Sequence, residues 1–206
     1  MTENLLEVKN LKQHFPIHGG LFMRRVGTVH AVNGVTFEVK KGETIGLVGE
    51  SGCGKTTVGR SILRLYDPTE GQILFDNQDI TLVPQKKMRH LRREMQMVFQ
   101  DPFESLNSRH TIGQILEEPF IIHKIQTPAE RKSTIRNLLD RVGLPNNVLD
   151  RFPHEFSGGQ RQRIGIARAI SLNPKLVICD EPVSALDVSI QSQILNLLLE
   201  LQEELD

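Results

Sequence analysis

The eight residues Gly49-Glu50-Ser51-Gly52-Cys53-Gly54-Lys55-Thr56 leave a chain few ways to fold. They fit the pattern G-x-x-x-x-G-K-[ST], which curls a backbone around a nucleotide's phosphates between a strand and a helix. Both flanks agree. Ile45 to Val48 is a short apolar run, read as a strand, and Val58 to Leu65 has helical spacing. A polyphosphate needs concentrated donors without steric obstruction. Glycines at 49, 52 and 54 let N–H groups point inward, and the helix start adds its positive end. Lys55 is expected to reach the outer phosphates and Thr56 to place its hydroxyl on Mg2+, with Thr57 completing the nucleotide-binding set.

A second segment supplies opposite charge. Leu176-Val177-Ile178-Cys179-Asp180-Glu181 has a buried-strand pattern ending in two carboxylates. A carboxylate there is costly without a cationic partner, and a bound Mg2+ would be one for Asp180. Glu181 would then polarise an attacking water. The competing reading is a pair of strand-end carboxylates capping a neighbouring helix. Gln100 also ends a strand, before Asp101-Pro102, and its amide can touch metal or water.

Ser157-Gly158-Gly159-Gln160, after Phe156, has the composition of a second anion-binding helix start: a capping hydroxyl followed by unobstructed N–H groups. An ordinary helix cap after Pro153 is the plainer alternative. Two anion sites with one acidic strand make sense if two copies face each other, each closing the other's phosphate loop.

Around these segments, Leu6 to Leu11 and Ala31 to Val39 alternate as half-buried strands, and Lys40-Lys41-Gly42-Glu43 reads as a turn. Gly71 to Ile80 reads as a hairpin turning at Asp76-Asn77, and Met95 to Phe99 as a strand. Helices are expected over 128–142, from Ser157 to Asn173, and over 188–205, the last with Ile190, Ile194, Leu197, Leu198 and Leu201 on one face. The expectation is one α/β domain over 1–206. Its core and antiparallel β subdomain take 1–100 and 157–206, and 101–156 is an inserted helical subdomain.

Lys plus Arg and Asp plus Glu number 25 each, so no global basic field favours nucleic acid. The Lys86–Arg93 cluster is read as a solvated helix face. Cys53 and Cys179 have no metal or disulfide spacing and are read as small apolar fillers. No apolar run approaches the roughly 18 residues of a spanning helix, and Met1-Thr2-Glu3-Asn4 lacks a signal pattern. A cytosolic chain is expected, with any membrane role through a partner.

The order of phosphate loop, Gln100, Ser157-Gly158-Gly159-Gln160, Asp180-Glu181 and Ser184-Ala185-Leu186-Asp187 resembles the ATP-binding cassette (ABC) ATPases across nearly the whole chain. The resemblance implies a P-loop NTPase fold with ATP and Mg2+. Lys55 and Thr56 would act on phosphate and Mg2+, Gln100 as the Q-loop residue, and Asp180 as the Walker B metal partner. Glu181 would be the general base, Ser157 to Gln160 the signature motif acting in trans, and Asp187 the D-loop residue at a dimer interface. Phe156 stands where the family usually has Leu.

His14-Phe15-Pro16-Ile17, Gly19-Gly20-Leu21-Phe22, Val32–Phe37, Phe99–Asn107 and Leu186–Gln191 further resemble dipeptide and oligopeptide importer ATPases. That resemblance makes Phe15 the candidate to stack on adenine, against the plainer reading of a core Phe in a hairpin. Gly19 to Arg25 is expected to form an exposed loop. The implied partners are a second ATPase subunit, two membrane permease subunits and a solute-binding protein, at the cytoplasmic face of the membrane and without nucleic acid. Nickel or another small solute is an alternative cargo.

No histidine occupies the family's switch position, and the chain ends with the helix after the D-loop. A truncated cassette is therefore expected, binding nucleotide but hydrolysing it weakly, with an open sheet edge that favours aggregation. The rival functions are a cassette ATPase acting on nucleic acid or ribosomes and a non-hydrolysing nucleotide-binding module.

Overall fold

A computed structural model of the chain describes residues 3–20 and 24–205. The chain divides into two compact units, 1–92 and 93–206.

The first unit is built on an antiparallel sheet ordered β2-β1-β3-β4, from β1 (Asn4–Gly19), β2 (Arg24–Lys40), β3 (Glu70–Phe75) and β4 (Gln78–Asp79). Leu6, Val8 and Leu11 of β1 lie with Ile73 and Phe75 of β3 and with Ile80, all nearly inaccessible. Asp76 and Asn77 both take positive φ, 49° and 63°, and make the tight two-residue turn expected of that pair. β1 and β2 run well beyond the alternating stretches that announced them. Register shifts interrupt their ladder, one of them between Gln13↔Val32 and His14↔His30, which leaves Ala31 bulged. Gly19 and Arg24 are ladder partners, so the ends of the expected 19–25 loop belong to the hairpin; residues 21–23 lie outside the described residues.

The helix α1 (Lys55–Ile62) packs on β1 and β2. Two residues beyond its end, Arg64 takes a left-handed conformation with φ 52°. The buried Arg64 guanidinium donates to the Ile80 carbonyl and to Asp67. α2 (Gln85–Glu94) buries Met88 and exposes Lys86, Lys87, Arg89 and His90, the solvated face expected. Arg92 departs from it, donating to the Leu63 and Arg64 carbonyls at 3.2 and 2.6 Å.

The expected strand at Ile45–Val48 is not formed. Residues 43–50 have no regular structure, and Val48 is 98% exposed. No described strand pairs with this run.

The second unit is mainly helical. β5 (Met95–Val98) and β6 (Leu176–Cys179) pair in parallel, with Met95↔Leu176 through Val98↔Cys179. Parallel neighbours need a long crossover, and here it holds α3 (Pro102–Ser105), α4 (Ile112–His123), α5 (Pro128–Arg141) and α6 (Gly158–Ile170). α7 (Val188–Leu205) follows β6. One core joins these helices, with Ile112, Leu116, Phe120, Leu139 and Ile164 at its centre and Ile194, Leu197 and Leu201 from α7. Reciprocal capping boxes start three helices: Thr111 with Gln114, Thr127 with Glu130, and Ser157 with Gln160. β6 is half-buried rather than buried, because β5 is its one sheet partner among the described residues. No described helix is long and apolar enough to cross a membrane.

Candidate functional site

The phosphate loop lies in the first unit. Its turn closes with Cys53 N–H donating to the Glu50 carbonyl at 3.2 Å, and α1 begins at Lys55. Gly54, the helix cap, has φ 101° and no side chain to occupy the helix's first N–H groups. A Cβ on Gly54 would stand 2.2 Å from the bulged Ala31 carbonyl, so the hairpin supports the loop from behind and only glycine fits. The Lys55 ammonium donates to the Gly49 and Glu50 carbonyls at 2.9 and 3.0 Å, which holds it over the loop. Glu50, Ser51 and Gly52 are exposed, and Thr56 and Thr57 lie in the first helical turn, half-buried. The Lys55 ammonium beside an uncapped helix start with no acidic residue in its first turn fits a polyphosphate.

Phe15 is half-buried in β1 and is not part of the core. It meets Tyr66 edge-on, with ring centroids 5.2 Å apart, and the Tyr66 hydroxyl accepts from Arg60 at 3.2 Å. Tyr66 had no motif around it to single it out.

Both cysteines are free and keep exposed surface, yet burial pushes the Cys179 thiol up to about 11, which suits the unreactive filler expected there. Cys53 sits on an uncovered loop, its sulfur against Gly49, and Cys179 closes a strand with a single described neighbour.

The acidic end lies in the second unit. Asp180 is 6% exposed, and its N–H extends the ladder by donating to the Val98 carbonyl at 2.9 Å. Glu181 takes a left-handed φ of 44°. Its carboxylate accepts from Gln100 Nε2 at 2.8 Å, and Ser184 returns both its N–H, at 3.2 Å, and its hydroxyl, at 3.1 Å, to the Glu181 carbonyl. Two parallel strands ending side by side thus bring Gln100 and Glu181 together. Ser184, part of the motif but given no role from sequence, anchors the turn between them.

Ser157 Oγ accepts from Gln160 N–H at 3.3 Å, while Gln160 Oε1 accepts from Ser157 N–H at 3.0 Å. The ordinary helix cap is therefore present, and the hydroxyl proton is left for another acceptor. Phe156 is buried beneath this turn, with the Arg151 guanidinium 4.5 Å from its ring centre. Asp187 is exposed, its carbonyl accepting from Ile190 and Gln191 N–H at the start of α7. Arg161 stacks on Phe103 at 3.5 Å and Arg168 donates to the Ser105 carbonyl, tying α3 to α6. Neither contact was legible, since each joins segments about sixty residues apart.

The sequence profile of the ABC transporter family matches residues 32–184. The chain belongs to that family. This cassette is 61% identical over 203 residues to the oligopeptide transport ATP-binding protein AppF of Bacillus subtilis (strain 168), covering 98% of this chain and 62% of AppF. It is 53% identical to OppF of the same organism, also described as an oligopeptide transport ATP-binding protein, covering 99% of this chain and 65% of OppF. The cassette thus spans less than two thirds of the length of these relatives. Among solved structures, the ATP-binding cassette MJ0796, a dimer bound to ADP and Pi, matches with a TM-score of 0.84 and 29% identity, covering 97% of this chain and 83% of that one. CbiO1 of Clostridium perfringens, part of the ABC transporter complex cbiONQ, matches at 0.81 and 30%, covering 98% and 75%. The fold of this cassette is that of nucleotide-binding ABC ATPases.

Proposed function

We propose that the chain is the ATP-binding and ATP-hydrolysing part of an ABC importer that drives uptake of peptides. The observation carrying hydrolysis is the Glu181 carboxylate, held by the Gln100 amide at 2.8 Å at the end of the ladder, one residue beyond buried Asp180. The names of AppF and OppF support peptide cargo.

In this reading Lys55 and the N–H groups of 49–57 hold the phosphates, and Phe15 offers its ring to adenine. Thr56, Gln100 and Asp180 offer hard oxygen donors suited to Mg2+, an ion usually held by one or two side chains together with phosphate oxygens and water. Bound there, Mg2+ would neutralise charge on the outer phosphates. Glu181 takes the proton of the attacking water, with Gln100 orienting the carboxylate. Ser157 to Gln160 present their donors to nucleotide on a second ATPase subunit, with Asp187 at that interface. The remaining partners are two permease subunits and a solute-binding protein, with the cassette peripheral at the cytoplasmic face of the membrane. A core formed by 1–100 and 157–206, with 101–156 as a helical subdomain, is the division that goes with this mechanism.

Glu181→Gln, assayed in the intact protein, tests the reading. ATP binding should persist while hydrolysis falls by about a hundredfold or more. A wild type that binds ATP without turning it over would instead make this a non-hydrolysing nucleotide-binding module.

A further inference from the structure

The glycines after Ser157 have a neighbour that phosphate chemistry does not require. A Cβ on Gly159 would lie 2.6 Å from Ile190 Cγ2, and one on Gly158 would lie 3.3 Å from Leu186 Cδ2. Unbonded carbons settle roughly 3.5–4.0 Å apart, so the approach at Gly159 exists only because that residue has no side chain. Ile190 cannot easily yield. Its Cγ2 is attached directly to Cβ, and a β-branched residue in a helix strongly prefers one χ1 rotamer. It sits in the first turn of α7, packed against the core of its unit, with its N–H bonded to the Asp187 carbonyl at 2.9 Å. On the other side, Gly159 is two residues beyond the Ser157 cap, in the first turn of α6. The starts of the two helices therefore meet methyl against backbone.

We propose that Ile190 is a positioning residue whose Cγ2 methyl seats in the notch at Gly159 and fixes the Ser157–Gln160 turn relative to Asp187. This rests on the reading that the turn closes a second subunit's nucleotide site. The seat ties that turn to the segment entering α7 within one chain, so neither shifts without the other. It also gives Gly159 a second reason to be glycine. Branching at Cβ is what the seat demands, not volume. Ile190→Val keeps the seated methyl, whereas Ile190→Leu keeps the size and loses the branch.

Two measurements on the intact protein decide it. The first is thermal melting, which needs no catalysis. Gly159→Ala should lower Tm by about 5 °C in the wild-type background and cause little change alongside Ile190→Ala, where the notch is cleared. Equal losses in both backgrounds would overturn the packing seat. The second is steady-state ATPase activity. Ile190→Leu should lower kcat about tenfold at unchanged KM for ATP, while Ile190→Val stays within about twofold of wild type. Equal activity of the Leu and Val variants would overturn the positioning role. A wild type without ATPase activity would sink the functional reading alone, and the melting comparison would still decide the seat.

Discussion

Gln100 donates a hydrogen bond from Nε2 to Glu181 Oε2 at 2.8 Å, at the ends of two parallel strands. The bond fixes the direction in which the Glu181 carboxylate is held. Gln100→Ala should therefore lower kcat by about tenfold, a larger effect than the rise in KM for ATP that follows from losing its oxygen donor to Mg2+. Steady-state kinetics check this, and a variant with raised KM and normal kcat would assign Gln100 to binding instead.

Gly54 and Gly52 both have left-handed φ, 101° and 81°, but different surroundings. A Cβ on Gly54 meets the Ala31 carbonyl at 2.2 Å, and one on Gly52 meets nothing within 4 Å. Gly52→Ala should cost about 1 kcal/mol of stability, the backbone penalty alone. Gly54→Ala should cost about 2–4 kcal/mol, since displacement of the hairpin adds to it. Urea denaturation of the two variants makes the comparison, and equal losses would contradict the contact with Ala31.

Ser157 and Thr127 form the same reciprocal cap on different helices. Replacement of either by Ala should cost about 1 kcal/mol of stability. Loss of ATPase activity should follow only Ser157→Ala, because only that hydroxyl is proposed to face nucleotide. If both variants keep full activity, Ser157 is a helix cap and nothing more.

Acid should loosen the first unit. The hydrogen bond from Arg64 holds the Asp67 carboxyl below its usual range, and bonds from Thr81 and Gln72 do the same for Asp79. A depressed folded-state pKa means that the unfolded chain binds protons more readily. The stabilisation is therefore complete above the unfolded carboxylate value of about 4, and it disappears as pH falls through the folded values. Asp67→Asn should lower Tm at neutral pH and flatten the fall below about pH 4. A melting series against pH reads both effects, and an acid limb as steep as that of wild type would contradict the Arg64–Asp67 assignment.

Features with a local cause were legible from the amino acids. The Asp76-Asn77 turn needs only two residues tolerant of positive φ, and α5 and α7 carry their apolar spacing within themselves. The loop 49–56 and the Ser157 cap could be read for the same reason. What escaped depends on distant chain. Bulges such as Ala31 break the alternation that marks a strand, so β1 and β2 are longer than their patterns. Ile45–Val48 is apolar enough for a strand but has no described ladder to join. The exposure of Cys53 follows from missing neighbours, which composition does not encode. The bond between Gln100 and Glu181 required knowing that β5 and β6 lie side by side.

That adjacency has a consequence for the life of the chain before it is fully folded. Gln100 and Glu181 are 81 residues apart in sequence, and a four-residue ladder joins the strands that carry them. Contacts over such separations close only after the intervening chain has been organised. The carboxylate is aimed when α3 to α6 have packed and not before. A half-made cassette emerging from the ribosome thus carries the whole of its phosphate loop well before the carboxylate proposed as its base is oriented.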